Sequence, residues 1–313
     1  MPTSDPDRAG GRSTASKGKD LLTSLVLWVV TATIVDRVVG QSGATDPPSN
    51  GGTPPDQEPP DEQPPSGGDD PPADDPQTPP ARTVIPFDSD AYLDQFNAGV
   101  EHDTRIVNAP AYDGTALAVH WEAGESFGTS LKYDFRKGWG AYQDEAWCQY
   151  WLYVPQGYTD GRDGRHDKWL GWRGVGSCGS AGDRCTGNNG WSARGGIGDR
   201  GGRFSLSSYV YEANMDDQYG DHWDWGIDPL KGEWHRIDQH IRVATEGRND
   251  GLLETWVNGE KGLERSIYTS DVGGPNKIES LWFDTWRKVD AYEGDIYVDM
   301  LKISDQPIDP SLP

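Results

Sequence analysis

Three short stretches of the chain carry side chains able to move a proton beside a carboxylate. They are Lys168 in DKWLGW, Ser192 and Arg194 in GWSARGG, and Tyr209 and Tyr211 in SSYVYEA. Each stretch has strand-like composition, and side chains two residues apart on a strand point the same way, about 6.6 Å apart along it. Ser192 and Arg194 therefore share a face, and so do Tyr209 and Tyr211. If the three strands line one concave sheet, its groove holds a guanidinium fork, an amine, a hydroxyl and two phenols. That set suits carboxylate binding and proton transfer, and it suits hydrolysis by paired acids poorly.

The elements that must position these groups read as strands almost throughout. Residues 131–135, 146–154, 168–173, 191–194, 204–211, 234–244, 252–257, 277–286 and 295–303 are β-rich, many with period two. Asn258-Gly259 after LLETWV is the strongest hairpin signal and matches a type I′ turn. A short helical turn is expected at 89–96, starting from a Ser or Asp cap. With no βαβ alternation and no long repeat, the fold class is all-β: an antiparallel two-sheet β-sandwich of jelly-roll type. Twelve tryptophans lie in or beside these strands, and core burial is the default for each. Trp172, Trp223 and Trp225 are assigned to sugar stacking, the last two because YGDHWDWG reads as a polar loop.

Composition divides the 313 residues into three parts: a leader at 1–40, a linker at 41–82 and the sandwich domain at 83–313. The linker holds 13 of the 23 prolines and nine acids against one base, with no aromatic residue. Such a segment buries too little apolar surface to offset its ordering entropy and is expected to be disordered. The leader pairs Arg8, Arg12, Lys17 and Lys19 with an apolar run over 21–35. That length fits a signal-peptide core better than a full span. If the run continues to 39 it serves as a membrane tether, and both readings place the domain outside the cell, secreted or anchored. The domain alone carries a formal charge of −16, from 38 acids and 22 bases. Uniform negative charge argues against nucleic acid and acidic membranes as partners. It also fits adaptation to high salt, where screening lets an acidic protein hold an anion in a locally basic groove.

Three cysteines are present: Cys178 and Cys185 bracket CGSAGDRC and are expected to form a disulfide, while Cys148 in AWCQYWLYV reads as a buried thiol. The six histidines are scattered without metal-ligand spacing and are expected to be structural or exposed. No metal, no cofactor and no partner subunit is expected, so the domain reads as a monomer.

Taken in order, Lys168, the loop at 178–185, Trp191-Ser192-Ala193-Arg194, Tyr209-Val210-Tyr211 and the DGLLETWVNG hairpin at 250–259 resemble polysaccharide lyase family 14, the alginate and glucuronan lyases. The resemblance covers about 148–303. Trp169-Leu170-Gly171 after the lysine and Gly195-Gly196-Ile197 after the arginine depart from the family and bear on substrate preference. The resemblance implies a lyase acting on an acidic polysaccharide by β-elimination. That reaction removes the proton α to a carboxylate, so the carboxylate must be neutralised as the enolate develops. Arg194 is the fork for that task, with Ser192 adding a hydrogen bond. Lys168, Tyr209 and Tyr211 supply base and acid, since nearby cations lower the pKa of either residue type. Two rivals stand beside this reading. A retaining hydrolase needs a carboxylate pair, and the nearest approach, Glu293-Gly294-Asp295-Ile296-Tyr297-Val298, has Val298 where the second Glu belongs. A non-catalytic carbohydrate-binding module would keep the fold and the tryptophans without needing the lysine and tyrosines.

Overall fold

The computed structural model describes residues 82–100, 103–160, 166–288 and 292–308. The expected leader and linker lie outside these residues, except that Arg82, read as the linker's end, opens the first strand. In chain order the elements are β1 (Arg82–Ile85), α1 (Tyr92–Gln95), β2 (Ala98–Val100), β3 (Thr104–Val107), β4 (Ala116–Trp121), β5 (Phe127–Asp134), α2 (Phe135–Trp139), β6 (Glu145–Tyr153), β7 (Asp167–Gly174) and β8 (Ser192–Arg200). There follow β9 (Arg203–Tyr211), β10 (Asp221–Asp224), β11 (Trp234–Arg242), β12 (Gly251–Val257), β13 (Glu260–Ile267), β14 (Ile278–Trp286) and β15 (Gly294–Ser304). Among the described residues no helix is long and apolar enough to cross a membrane.

Two antiparallel sheets form the sandwich, of the jelly-roll type expected. One runs β13-β12-β11-β6-β15-β4-β3, with β1 also paired to β15; the other runs β10-β9-β8-β7-β14-β5-β2. Their inner faces meet in a core that includes Leu117, Val119, Tyr150, Leu152, Ile237, Ile241, Leu253, Phe283 and Val298. The first sheet is wetted on its other side. Strand β12 alternates buried and half-buried residues along its whole length, the period-two pattern that made it legible. In the second sheet, β9 is buried at eight of nine positions, because its outer side floors a cleft. The Asn258-Gly259 turn joins β12 to β13 with φ of 52° and 85°, as a type I′ hairpin requires.

All nine expected strands are present, with ends shifted and with Phe135 moved into α2. The helix at 89–96 shrinks to α1, and its N-cap, Ala91, makes no side-chain cap bond. Six strands went unread, and four of them, β2, β3, β10 and β13, are the edges of the two sheets. An edge strand faces solvent and tolerates charge. Strand β13, EKGLERSI, is mostly exposed and has no alternation to read.

Candidate active site

The three stretches that opened the analysis are the neighbouring strands β7, β8 and β9. Register sets Arg194 opposite Tyr209, Ser192 opposite Tyr211, and Lys168 opposite Gly196. Above them, on the side of the sheet away from the core, lies a cleft of about 630 Å³ whose lining includes Lys168, Arg194, Tyr209 and Tyr211. A β-bulge between Trp169 and Trp172 changes the parity of β7. Lys168 therefore faces the cleft while Trp172, four residues further on, faces the core.

Arg194 is 2% exposed. Its Nη1 donates to Asp284 Oδ2 at 2.9 Å, and its guanidinium carbon lies 4.5 Å from the Trp282 ring centre. Nε and Nη2 have no hydrogen-bond partner among the described residues. A buried guanidinium with two unspent donors carries a large desolvation cost unless an acceptor docks there, and two adjacent N–H groups match one carboxylate bidentately. The Lys168 ammonium lies 4.7 Å from the Tyr209 ring centre and 4.5 Å from that of Trp286. Burial, and then the charge of Arg194, push its pKa down to about 7, opposed by Asp284. The Tyr209 and Tyr211 hydroxyls are 3.3 Å apart, with the rings edge to face. Burial, and then its bond to Tyr211, push the Tyr209 phenol well above its ordinary range, and Arg194 opposes this only weakly. The expectation that cations would turn Tyr209 toward phenolate is therefore overturned: desolvation wins, and lysine is the group brought to neutrality.

Ser192 does not reach the cleft. It is fully buried, and its Oγ donates to the Gly179 carbonyl at 2.7 Å. Its place is to hold the loop closed by the Cys178–Cys185 disulfide, whose Ser180, Ala181 and Gly182 form one wall. Cys148 is the free, buried thiol expected, and burial raises its pKa. The three tryptophans assigned to sugar stacking are corrected. Trp172, Trp223 and Trp225 are 0%, 3% and 2% exposed and belong to the core. Trp223 lies under the Arg265 guanidinium, and Trp225 donates to Ser208 Oγ, so the stretch that read as a polar loop is the strand β10 and its end. The aromatic lining comes instead from Trp282, Trp286, Phe127 and Tyr219, the last two about half exposed at the mouth.

Two of the supposedly scattered histidines also line the cleft. His222 packs against Tyr209 with ring centres 4.6 Å apart, and His166 meets His222 edge to face at 5.5 Å. His166 is seated by Ser207 Oγ on Nδ1 (2.5 Å) and Ser205 Oγ on Nε2 (3.0 Å), and burial lowers its pKa. A Cβ at Gly198 would overlap the His166 ring, so the glycine-rich tail of β8 is the space this histidine fills. No spacing signal finds the pair, because the two residues meet only through the sheet order.

Asp284 is the one carboxylate among the described lining residues. Asp295, from the nearest hydrolase-like motif, sits on the other sheet, bonded to Arg105 and His120. The cleft floor is basic in an acidic chain. Lys168, Arg194 and Lys288 line it against Asp284, while Arg173 and Lys132 lie beside the Trp282 ring, at 4.8 and 5.3 Å, with Arg173 paired to Glu279. Among the described residues, no group of three or more His, Cys, Asp or Glu side chains is placed to hold a metal ion.

No family model matches the chain, and no curated protein matches it by sequence. Among solved structures it is similar to an alginate lyase in complex with an alginate trisaccharide. The TM-score is 0.60 and the identity 18%, covering 73% of this chain and 99% of that one. It is also similar to an alginate lyase from Chlorella virus, with a TM-score of 0.50 and 16% identity over 66% of this chain and 90% of that one. The fold is thus one shared with alginate lyases.

Proposed function

We propose that the chain is a polysaccharide lyase that cleaves a polyuronate by β-elimination in the Arg194 cleft. The observation that carries this reading is the buried Arg194 fork, with Nε and Nη2 unpartnered, beside an amine whose pKa lies at about 7. The uronate carboxylate takes the two donors, and its charge is offset as the enolate forms. Neutral Lys168 Nζ removes the C5 proton, since a general base works best with a pKa near the working pH. The C5–H electrons become the C4=C5 double bond, and the C4–O4 bond breaks. The leaving O4 takes a proton from the Tyr209–Tyr211 pair, of which Tyr209 is kept protonated by burial. Passage of the proton from Lys168 back to the tyrosinate resets the site.

The fold shared with alginate lyases supports this chemistry, and so does the basic floor in a chain of net charge −23. Trp286, Phe127 and Tyr219 take the sugar-stacking role first given to core tryptophans. Ser192 acts through the loop it holds rather than on substrate. A hydrolase lacks its second carboxylate here. A purely binding module has no use for an amine held near neutrality. The disulfide fits export to an oxidising compartment. Incubation with alginate and with glucuronan, followed by ultraviolet absorbance, tests the proposal. Elimination creates an absorbing unsaturated uronate; release of new reducing ends without that absorbance would establish hydrolysis instead.

A further inference from the structure

The opposite face of the sandwich holds a second cleft, of about 430 Å³, over the outer side of β6, β11 and β12. Strand register builds it in two rows. Trp147, His240 and Glu254 stand side by side across the three strands, and Gln149, Asp238 and Trp256 form the next row. Trp147 and Trp256 are both partly exposed, and two strand spacings separate them by on the order of 10 Å. The Trp147 indole lies flat on the His240 ring, 4.2 Å away and tilted by 8°, which fixes its plane. Trp256 carries the Lys261 ammonium 5.3 Å from its ring centre, and two indoles flanking a polar floor are what the two kinds of sugar surface require: C–H faces pack on the rings, and hydroxyls meet oriented donors and acceptors.

The charges on that floor select the kind of sugar. Arg236 Nε donates to Asp238 Oδ2 at 3.0 Å, and Gln149 donates to the other oxygen at 2.8 Å. His240 bonds Glu254 and Glu145 through its two ring nitrogens, at 2.7 and 2.8 Å. Lys261 bridges Glu254 and Glu264 at 2.7 and 2.5 Å. Burial pushes the Glu254 carboxyl up, but the bonds from Lys261 and His240 outweigh it and hold its pKa below the usual range. Arg236 and Lys261 are thus tied to the protein's own carboxylates. A uronate entering here would have to displace Asp238 or Glu254 and would face them unscreened, whereas hydroxyl groups can donate to the same carboxylates without disturbing the pairs. We propose that this cleft is a second saccharide site, one that takes a neutral pyranoside chain. It stands independently of the lyase reading, since none of its residues lines the Arg194 cleft.

The test is native gel electrophoresis of the full chain through gels containing a soluble neutral β-1,4-glucan, β-1,4-mannan, β-1,4-xylan or alginate. The proteins run are the wild type, Trp256→Ala, Trp256→Phe and Lys168→Ala. At least one neutral polymer is expected to retard the wild type and Lys168→Ala equally. Trp256→Ala should weaken that retardation about tenfold or more, as truncation of an anchoring indole does, and Trp256→Phe should retain part of it. Alginate retardation should be the same for wild type and Trp256→Ala. Unchanged thermal unfolding of Trp256→Ala checks its fold, and Trp256→Phe carries the test if the alanine variant is unstable. Three results would each overturn the proposal: no neutral polymer retards the wild type, Trp256 variants bind as well as wild type, or the Trp256 variants lose alginate instead.

Discussion

The two clefts on opposite faces of this sandwich use nearly the same residue types to opposite ends. Each has indoles, an arginine next to an aspartate, and a histidine. On the outer side of β11 the arginine is bonded to Asp238, and Lys261 to Glu254 and Glu264, so each of these cations is met by a carboxylate. In the other cleft one carboxylate, Asp284, answers Arg194, with Lys168 and Lys288 also in the lining. The result is a positive floor with guanidinium donors left over. Only there is a lysine pKa brought down to about 7, by burial first and by the charge of Arg194 second. Proton chemistry therefore follows from burial first and from a neighbouring cation second, and residue identity alone does not distinguish the two faces.

Removing the source of that imbalance should have the largest effect. Arg194→Ala takes away the carboxylate fork and strands Asp284, so turnover should fall by at least about 10²–10³-fold and substrate affinity should fall with it. The stranded buried charge should also cost about 3–5 kcal/mol of stability. Arg194→Lys separates the two losses, keeping a charge against Asp284 without the fork. An Arg194→Ala protein that still eliminates efficiently would equalise the clefts and reject the site.

Next come the proton-transfer groups. Lys168→Ala and Tyr211→Phe should each lower kcat about 10²–10⁴-fold while polyuronate binding, measured by calorimetry, is largely kept. Loss of binding with kcat intact would make them anchors instead.

The pH profile sharpens the comparison further. If neutral Lys168 is the base, kcat/KM rises with pH through about 7. If a tyrosinate were the base, the rise would come at far higher pH, since burial raises Tyr209. The same shift predicts a stability effect. The folded pKa of Lys168 lies below its ordinary value of 10.5, so the unfolded chain binds more protons between about 7 and 10.5, and stability rises with pH across that window. Lys168→Met should lose this component of the slope in denaturant titrations, whereas a variant of the outer cleft such as Trp256→Phe should keep it.

Smallest is the effect of the wall. Ser192→Ala removes the bond to Gly179 and should cost about 1 kcal/mol of stability. It should raise KM a few-fold with kcat nearly kept, because the loop at 180–182 loosens. A large fall in kcat alone would return Ser192 to the chemistry.

Much of this architecture was legible from the chain, and the illegible parts have separate causes. Interior strands such as β6, β11 and β12 alternate because one face is wet and one is dry, so they could be read. The edge strands β2, β3, β10 and β13 lack two contrasting faces and could not. Arg194 and the Tyr209–Tyr211 pair were found because the spacing of two marks strand side chains that share a face, and Lys168 because its order before them follows the family it resembles. Trp172 was misplaced because a bulge in β7 changes the parity, and Trp223 and Trp225 because polar neighbours disguised β10. His166, His222 and Asp284 were missed because they reach the cleft from before β7, from β10 and from β14, which only the order of strands in the sheet brings together.

By itself, then, the sequence determined the fold class, the disulfide loop and the four polar side chains that share the cleft, since alternation, turn chemistry and cysteine spacing are local. What tertiary structure decided was the state of those groups. Burial beside Arg194 brings Lys168 to neutrality while burial beside Tyr211 drives Tyr209 the other way. Desolvation depends on what surrounds a side chain in space, and no local pattern in the chain encodes it.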